Sequence, residues 1–219
     1  MSFLNNIWLN NKSFILFILL MSVFRSAVAD WYTVPTGSMQ PTIKEGDRII
    51  VNKMAYDFRL PFTQISLLAT GDPQRGDIAV FESKAANTRL IKRMVGLPGD
   101  MITMKNETLY INGKALNYHI TKQNALHLFA TEQLGAITHN IQIDQNKSNQ
   151  LSNFGPMIVP AQHYFVLGDN RRNSADSRVY GFVPRDELKG KATLIAFSVD
   201  YDNYFLPRKK RFFKDIYAI

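Results

Sequence analysis

The sequence predicts a mainly β protein: an N-terminal transmembrane helix, then a β-rich core carrying a smaller inserted β domain. Three observations carry that reading. The stretch FILFILLMSVF, Phe14 to Phe24, is apolar throughout except for one serine, and it precedes everything else. Beyond residue 30 the apolar residues come in short β-rich runs bounded by Gly, Pro, Asn and Asp, with no long amphipathic helix pattern. Composition then shifts between Met101 and Val159, which hold three of the four histidines, eight asparagines and no arginine.

The apolar run supports two readings. Its strongest part, followed by Ala27-Val28-Ala29 before Asp30, fits the apolar centre and small-x-small cleavage site of a signal peptide. Taken from Ser13 to Ala29, it reaches the short end of a spanning helix, with Arg25 snorkelling toward headgroups. Hydropathy alone does not separate the two. With Lys12 ahead of the run, either one leaves the rest of the chain on the outer side of the membrane.

Arg48 to Val51 and Asp77 to Phe81 read as strands opened by Gly-Asp turns, so Arg75-Gly76-Asp77 is a turn rather than an adhesion motif. Arg89 to Val95 is a further strand, and Pro98-Gly99 fits the centre of a type II turn. Thr108 to Ile111, Asn112-Gly113 and Lys114 to Leu116 form a hairpin, because Asn-Gly supplies both positive-φ positions of a type I′ turn. His163 to Leu167 and Ala192 to Phe197 read as later strands, and Ala55 to Ala69 as an exposed hairpin extension. The division expected is an anchor over 1–30 with its span at 13–29, a core over 31–100 and 160–219, and an insert over 101–159.

At 219 residues the chain is long enough for one ordinary domain or two small ones. With no cysteine, thiol catalysis, thiolate metal sites and disulfides are all excluded. The formal charge of +8 is densest in PRKKRFFK, Pro207 to Lys214. No zinc-finger spacing, helix-turn-helix or RNA-binding aromatic signature accompanies it, so nucleic acid is not an expected partner. Membrane lipid is, with this basic, aromatic tail against anionic headgroups.

The sequence has no GxxxxGK loop, HExxH, EF-hand loop or GxSxG elbow, and no metal or cofactor is expected. His119, His127 and His139 lack metal-ligand spacing and read as surface or hairpin residues; His163 is the one histidine a catalytic triad would use. In VPTGSMQPTIKEGDRI, Val34 to Ile49, Ser38 needs a base to act as a nucleophile. A lysine serves only when neutral, and at a pKa near 10.4 less than about 0.1% is neutral at pH 7. Strand alternation puts Lys92 on a face with Leu90 and Met94, where burial would lower its pKa, and Arg93 on the other face with Ile91. A lysine on a solvated edge strand is the competing reading.

The blocks PTGSMQPT, RGDIAVF, LIKRMVGLPGD and GDNRRNSADSRVYGFVP, in that order, resemble bacterial type I signal peptidase, a Ser-Lys membrane protease that removes signal peptides from exported preproteins. The resemblance implies that Ser38 is the nucleophile and Lys92 the general base. Thr36 would join the Ser38 backbone N–H in the oxyanion hole, with i and i+2 of an extended segment on one side. It further implies that Ser174 hydrogen-bonds and orients the lysine, and that an Asp176–Arg178 ion pair holds this loop. Val34, Pro35, Met39, Val80 and Ile91 would line shallow pockets for small side chains. Trp31, Met39, Phe58 and Phe62 would sit at the membrane surface.

On this resemblance the apolar run is an uncleaved anchor, and the protein is a monomer, single-pass in the bacterial inner membrane, with its catalytic part on the outer side. Its partners would be preproteins and lipid. Arg172 departs from the family pattern, which commonly has an acid there, and the insert is short. A pilin-processing peptidase of a conjugation system, or a non-enzymatic secreted β-barrel binding protein, are the alternatives. A self-cleaving Ser-Lys repressor would need a DNA-binding helix pair where this chain has an apolar run.

Overall fold

In the computed structural model the backbone is described for residues 2–63 and 65–218, with side chains from residue 11 onward. Met1, Gln64 and Ile219, which fall in the predicted anchor, hairpin and core, lie outside the described residues. Helix α1 (Ser2–Ala27) is followed by β1 (Ala29–Thr33), β2 (Asp47–Asn52), β3 (Asp57–Arg59), β4 (Ser66–Ala69), β5 (Ile78–Ser83) and β6 (Thr88–Gly96). Next come β7 (Met101–Lys105), β8 (Thr108–Ile111), β9 (Lys114–Ala115), β10 (Asn117–Gln123), β11 (His127–Leu134), β12 (Ile137–Asp144) and β13 (Phe154–Ile158). The chain closes with β14 (His163–Leu167), the one-turn helix α2 (Ser177–Tyr180), β15 (Val183–Pro184), β16 (Leu188–Asp200), β17 (Leu206–Pro207) and β18 (Lys214–Asp215). The protein is mainly β.

The principal sheet runs β1-β2-β16-β5-β6-β14-β15, with β17 and β18 paired to the C-terminal half of β16. Its ladders are antiparallel, so short turns suffice to connect neighbours. β16 holds the sheet together by changing partners: Leu188 to Lys191 pair with β5, and Lys191 to Ser198 with β2. Gly190 permits the change, since a Cβ there would meet the Asn52 carbonyl oxygen at 2.5 Å.

Apolar residues of alternating parity fill the two sides of this sheet. One cluster gathers Val34, Met39, Ile49, Val51, Val80 and Ile195; a second gathers Tyr56, Phe81, Met94, Tyr164, Val166 and Leu188. Burial of each large side chain contributes about 1.5–3 kcal/mol. Leu90 packs on the second cluster and Ile91 on the first, as strand alternation requires.

Residues 101–158 form two small sheets, β13-β7-β8-β9 and β10-β11-β12. The Asn112-Gly113 turn joins β8 to β9 with both φ angles positive, 53° and 79°. A third cluster, including Val95, Ile102, Leu109, Leu134 and Phe165, packs these sheets against β6 and β14. Asp57–Arg59 and Ser66–Ala69 pair as a separate hairpin, whose second strand is fully exposed.

α1 ends earlier than the predicted span. Ala29 lies in β1, opposite Asn52, so the helix part of that span stops at Ala27. Pairing with β2 ends the helix and Lys53 caps it: its ammonium donates to the carbonyls of Arg25 at 3.0 Å and Ser26 at 2.9 Å, two acceptors left open at a helix C-terminus. From Ser13 to Ala27 the helix is roughly 22 Å long, against a hydrocarbon thickness of about 30 Å. Among the described residues no helix is long and apolar enough to cross a membrane. Arg25 reaches back to Asp30 at 2.7 Å and lies over the Trp31 ring at 4.0 Å.

Two expectations about exposure fail, those for Met39 and His139. Met39 is 1% exposed inside the first cluster and cannot face a membrane, whereas Trp31 and Phe62 are exposed. The basic C-terminal segment is partly structural: Arg211 pairs with Asp47 at 2.6 Å and Arg208 with Asp200 at 3.0 Å. His139 is not a surface residue. It is buried on β12, with Nε2 3.3 Å from Glu132 and 3.8 Å from Asp169, because cross-strand pairing with Glu132 turns it toward the core.

Around His139 lies a buried ionic group. Arg93 forks onto Asp169 at 2.8 and 2.7 Å, and Arg171 pairs with Glu132, which also accepts from Tyr118. Burial alone would raise both carboxyls; Arg93 at Asp169 and Arg171 at Glu132 outweigh it and hold them below the usual range. Burial pushes His139 down to about 4, Arg93 adding to the effect and Asp169 and Glu132 opposing it. Its folded value therefore lies below the unfolded one, so as pH falls the unfolded chain binds a proton that the folded chain refuses. The stability tied to neutral His139 is full above about pH 6.5 and is lost as pH falls toward 4. Urea unfolding in detergent should show a loss of about 2–3 kcal/mol between pH 7 and 4.5, and His139→Gln should lack most of it.

Candidate active site

Ser38 sits in the 3-10 turn Gly37–Met39 between β1 and β2. Met39 inserts into the first cluster and anchors the turn, which leaves Ser38 half-buried. Lys92, on β6 opposite Ala79, brings its Nζ to 2.8 Å from Ser38 Oγ and also donates to the Ile91 carbonyl at 3.1 Å. The side chain is 3% exposed. Burial lowers the ammonium to about 8; Asp176 and Asp169 work against that shift and Arg178 works with it.

The loop after β14 closes the site. Asn170 grips the nucleophile turn twice, its backbone N–H donating to the Ser38 carbonyl at 3.1 Å and its Nδ2 to the Gly37 carbonyl at 3.1 Å. Gly168 makes the approach possible, because a Cβ there would lie 2.5 Å from the Ser38 carbonyl oxygen and 2.3 Å from Ser174 Oγ. Asp176 pairs with Arg178 at 2.8 Å, both buried, and accepts from the Gly168 N–H at 3.0 Å. Arg178 extends to the Arg171 carbonyl at 2.6 Å. Arg172 meets Glu107 at 2.7 Å, so the insert balances its charge.

Two expectations about individual groups need correction. Ser174 Oγ is buried against Gly168 and has no hydrogen-bond partner among the described residues, so the expected bond to Lys92 is not made. Thr36 is exposed and extended at φ −134° and ψ 153°, but the 3-10 turn begins at Gly37. Strand alternation therefore does not align Thr36 with Ser38. Of the predicted pocket residues, Val34, Met39 and Val80 are buried in the first cluster, Ile91 packs against it half-buried, and Pro35 is exposed. His163 opens β14, its ring Nδ1 2.8 Å from the Ala161 carbonyl, and it is not the partner of Ser38. Asn170 and Gly168 were legible only as part of a polar turn-rich loop; Gly-Asp-Asn directly after an apolar strand was the available signal.

A family model described as signal peptidase, peptidase S26, matches residues 7–197. The signal peptidase I of Pseudomonas fluorescens is 38% identical over 204 residues, covering 85% of this chain and 71% of that protein. The signal peptidase I of Pseudomonas aeruginosa is 36% identical over 203 residues, with 85% and 71% covered. A signal peptidase I crystal structure from Enterococcus faecalis V583 shares 33% identity over 55% of this chain and 96% of that one, with a TM-score of 0.36. A match over most of the sequence, by the family model and by relatives alike, means that the chain belongs to the signal peptidase family, peptidase S26.

Proposed function

We propose that this protein is a serine endopeptidase that cleaves signal peptides from exported preproteins after small-x-small sites, with Ser38 as nucleophile and Lys92 as general base. The observation that carries the reading is the 2.8 Å contact between Ser38 Oγ and a lysine that burial has brought to a pKa of about 8. Such an amine is neutral in a useful fraction near neutral pH. It takes the Ser38 proton as Oγ attacks the scissile carbonyl, and the resulting ammonium protonates the leaving amine. Water then hydrolyses the acyl-enzyme with the same amine as base, restoring the Ser38 hydroxyl. The Ser38 N–H stabilises the oxyanion, and Thr36, exposed directly before the turn, is the side-chain donor the family resemblance implies, although strand alternation does not align it with Ser38.

An open strand edge supports the substrate part of the reading. β6 pairs with β14 only from Arg93 onward, so among the described residues Thr88 to Lys92 have β5 on one side and no strand on the other. An extended peptide added at that edge runs directly to Lys92, its main chain hydrogen-bonded and its alternate side chains directed into shallow apolar pockets around Ile91. A binding protein without catalysis gives no reason for a desolvated lysine against a serine. A pilin-processing relative would differ only in substrate.

We read residues 1–30 as a membrane-associating segment, 31–100 and 160–219 as the catalytic core, and 101–159 as a cap. The exposed apolar residues of α1 from Phe14 to Phe24, together with Trp31 and Phe62, support association with the bacterial inner membrane, the core lying on its outer side.

Purified protein should cleave a signal-peptide-bearing precursor, and Ser38→Ala should abolish cleavage. The pH profile of kcat/KM should rise with an apparent pKa near 8, and Lys92→Arg, which stays charged, should lose activity by a thousandfold or more. Activity within about tenfold of the parent would remove Lys92 from the role of base. Thr36→Val deletes a donor while keeping shape, so kcat should fall roughly 10²–10³-fold with KM little changed, and Thr36→Ser should restore most of it. A Thr36→Val enzyme within about fivefold of the parent would take Thr36 out of the oxyanion hole.

A further inference from the structure

Next to the nucleophile turn, on a wall that includes neither Ser38 nor Lys92, three separate parts of the chain line an open cavity of about 460 Å³. Thr42 and Lys44 come from the loop that follows Ser38, Lys122 and Asn140 from the three-stranded sheet, Arg211 from the 3-10 turn Lys209–Arg211 and Lys214 from β18. Arg211 is committed to Asp47 and to the Thr42 carbonyl. Among the described residues no carboxylate pairs with Lys44, Lys122 or Lys214, and the one acid on the wall, Asp215, accepts from the Tyr217 N–H instead. Lys44 shows the consequence: although exposed, it is desolvated enough by the cavity wall for its pKa to be lowered, and Arg211, Arg208 and Lys214 lower it further, only Asp47 opposing them. Like charges grouped around one cavity repel one another, and a bound anion relieves that repulsion.

We propose that this cavity is a binding site for a soluble phosphate-bearing anion, held by Lys44, Lys122 and Lys214. Its volume falls in the range of small-molecule sites, and three separate ammonium groups suit a multiply charged phosphate better than a single carboxylate. A lipid headgroup offers the same chemistry, but the placement favours a soluble source. α1 joins the sheet at Ala29, opposite Asn52, whereas Lys44 precedes Asp47 at the other end of β2, about 17 Å along the strand. The site touches the catalytic turn through Thr42, which donates to Asp169 at 2.6 Å, next to the Asn170 that grips Ser38.

The test is thermal unfolding of the full chain in detergent, with sodium pyrophosphate compared against sodium chloride at equal ionic strength. Pyrophosphate at about 5 mM should raise the midpoint by about 3 °C or more. The triple variant Lys44→Gln, Lys122→Gln, Lys214→Gln should melt cooperatively without ligand and show no rise, while Lys114→Gln, elsewhere on the surface, should keep it. Should the triple variant fail to fold, Lys122→Gln alone, on an exposed strand, should at least halve the rise. No rise beyond the chloride control, or a rise that survives these changes, overturns the site. A rise with phosphatidylglycerol vesicles over phosphatidylcholine vesicles, lost in the variants and not matched by pyrophosphate, overturns the soluble ligand.

Discussion

The buried fork between Arg93 and Asp169 is the interaction on which the rest of the site depends. Each partner is 1% exposed, and each is the chain neighbour of a group that handles Ser38: Lys92 precedes Arg93, and Asn170 follows Asp169. Two parallel hydrogen bonds between planar groups admit essentially one mutual geometry, so the fork sets β6 against the loop after β14. Thr42 adds a third element by donating to the same carboxylate, which ties in the segment that follows the nucleophile. A pair buried this deeply adds little net stability, because desolvation offsets the attraction; its contribution is position.

Position matters here because the proposed chemistry rests on desolvation. Lys92 lies in a strand whose neighbours are apolar, and burial is the main cause of its lowered pKa. Asp169 and Asp176 are close enough to raise it again, yet each already faces an arginine, Arg93 or Arg178. Arg178 thus offsets part of the pull of the carboxylates that would otherwise keep the amine charged. Asp176 and Arg178 also hold Gly168 against the nucleophile turn, so one pair serves both electrostatics and shape.

The insert is bound to the same framework rather than appended to it. Gln142 on β12 exchanges backbone hydrogen bonds with Asp169 and Arg171 at 2.8 Å each, and Glu132 takes the Arg171 guanidinium. His139 is enclosed between these charges and stays neutral. Packing of Ile102, Leu109 and Leu134 against Val95 and Phe165 adds an apolar contact between the small sheets and the core. Movement of the insert would therefore disturb the loop that carries Asn170.

The sequence by itself determined strands β2, β5, β6, β8, β14 and the middle of β16, the Asn112-Gly113 hairpin and the pairing of Ser38 with Lys92 as candidates, because these depend on local period, turn chemistry and four ordered blocks, whereas the polar strands β10 to β12 of the insert carry no such local signal. The contact of Ser38 with Lys92 did not follow from it: 54 positions separate the two side chains, and only the fold of β5, β6 and the Ser38 turn brings them to 2.8 Å. Burial was the less legible quantity. His139, Met39, Arg208 and Arg211 all read as surface groups because their residue types and near neighbours allow it, and each is claimed by a partner distant in the chain: Glu132 across a strand, the first cluster, Asp200, Asp47. The end of α1 was decided in the same way, since apolar composition continues through Val28 and Ala29 while pairing with β2 draws the backbone out of the helix. Local propensity depends on near neighbours, whereas the satisfaction of buried charges and open carbonyls depends on which distant groups the fold delivers.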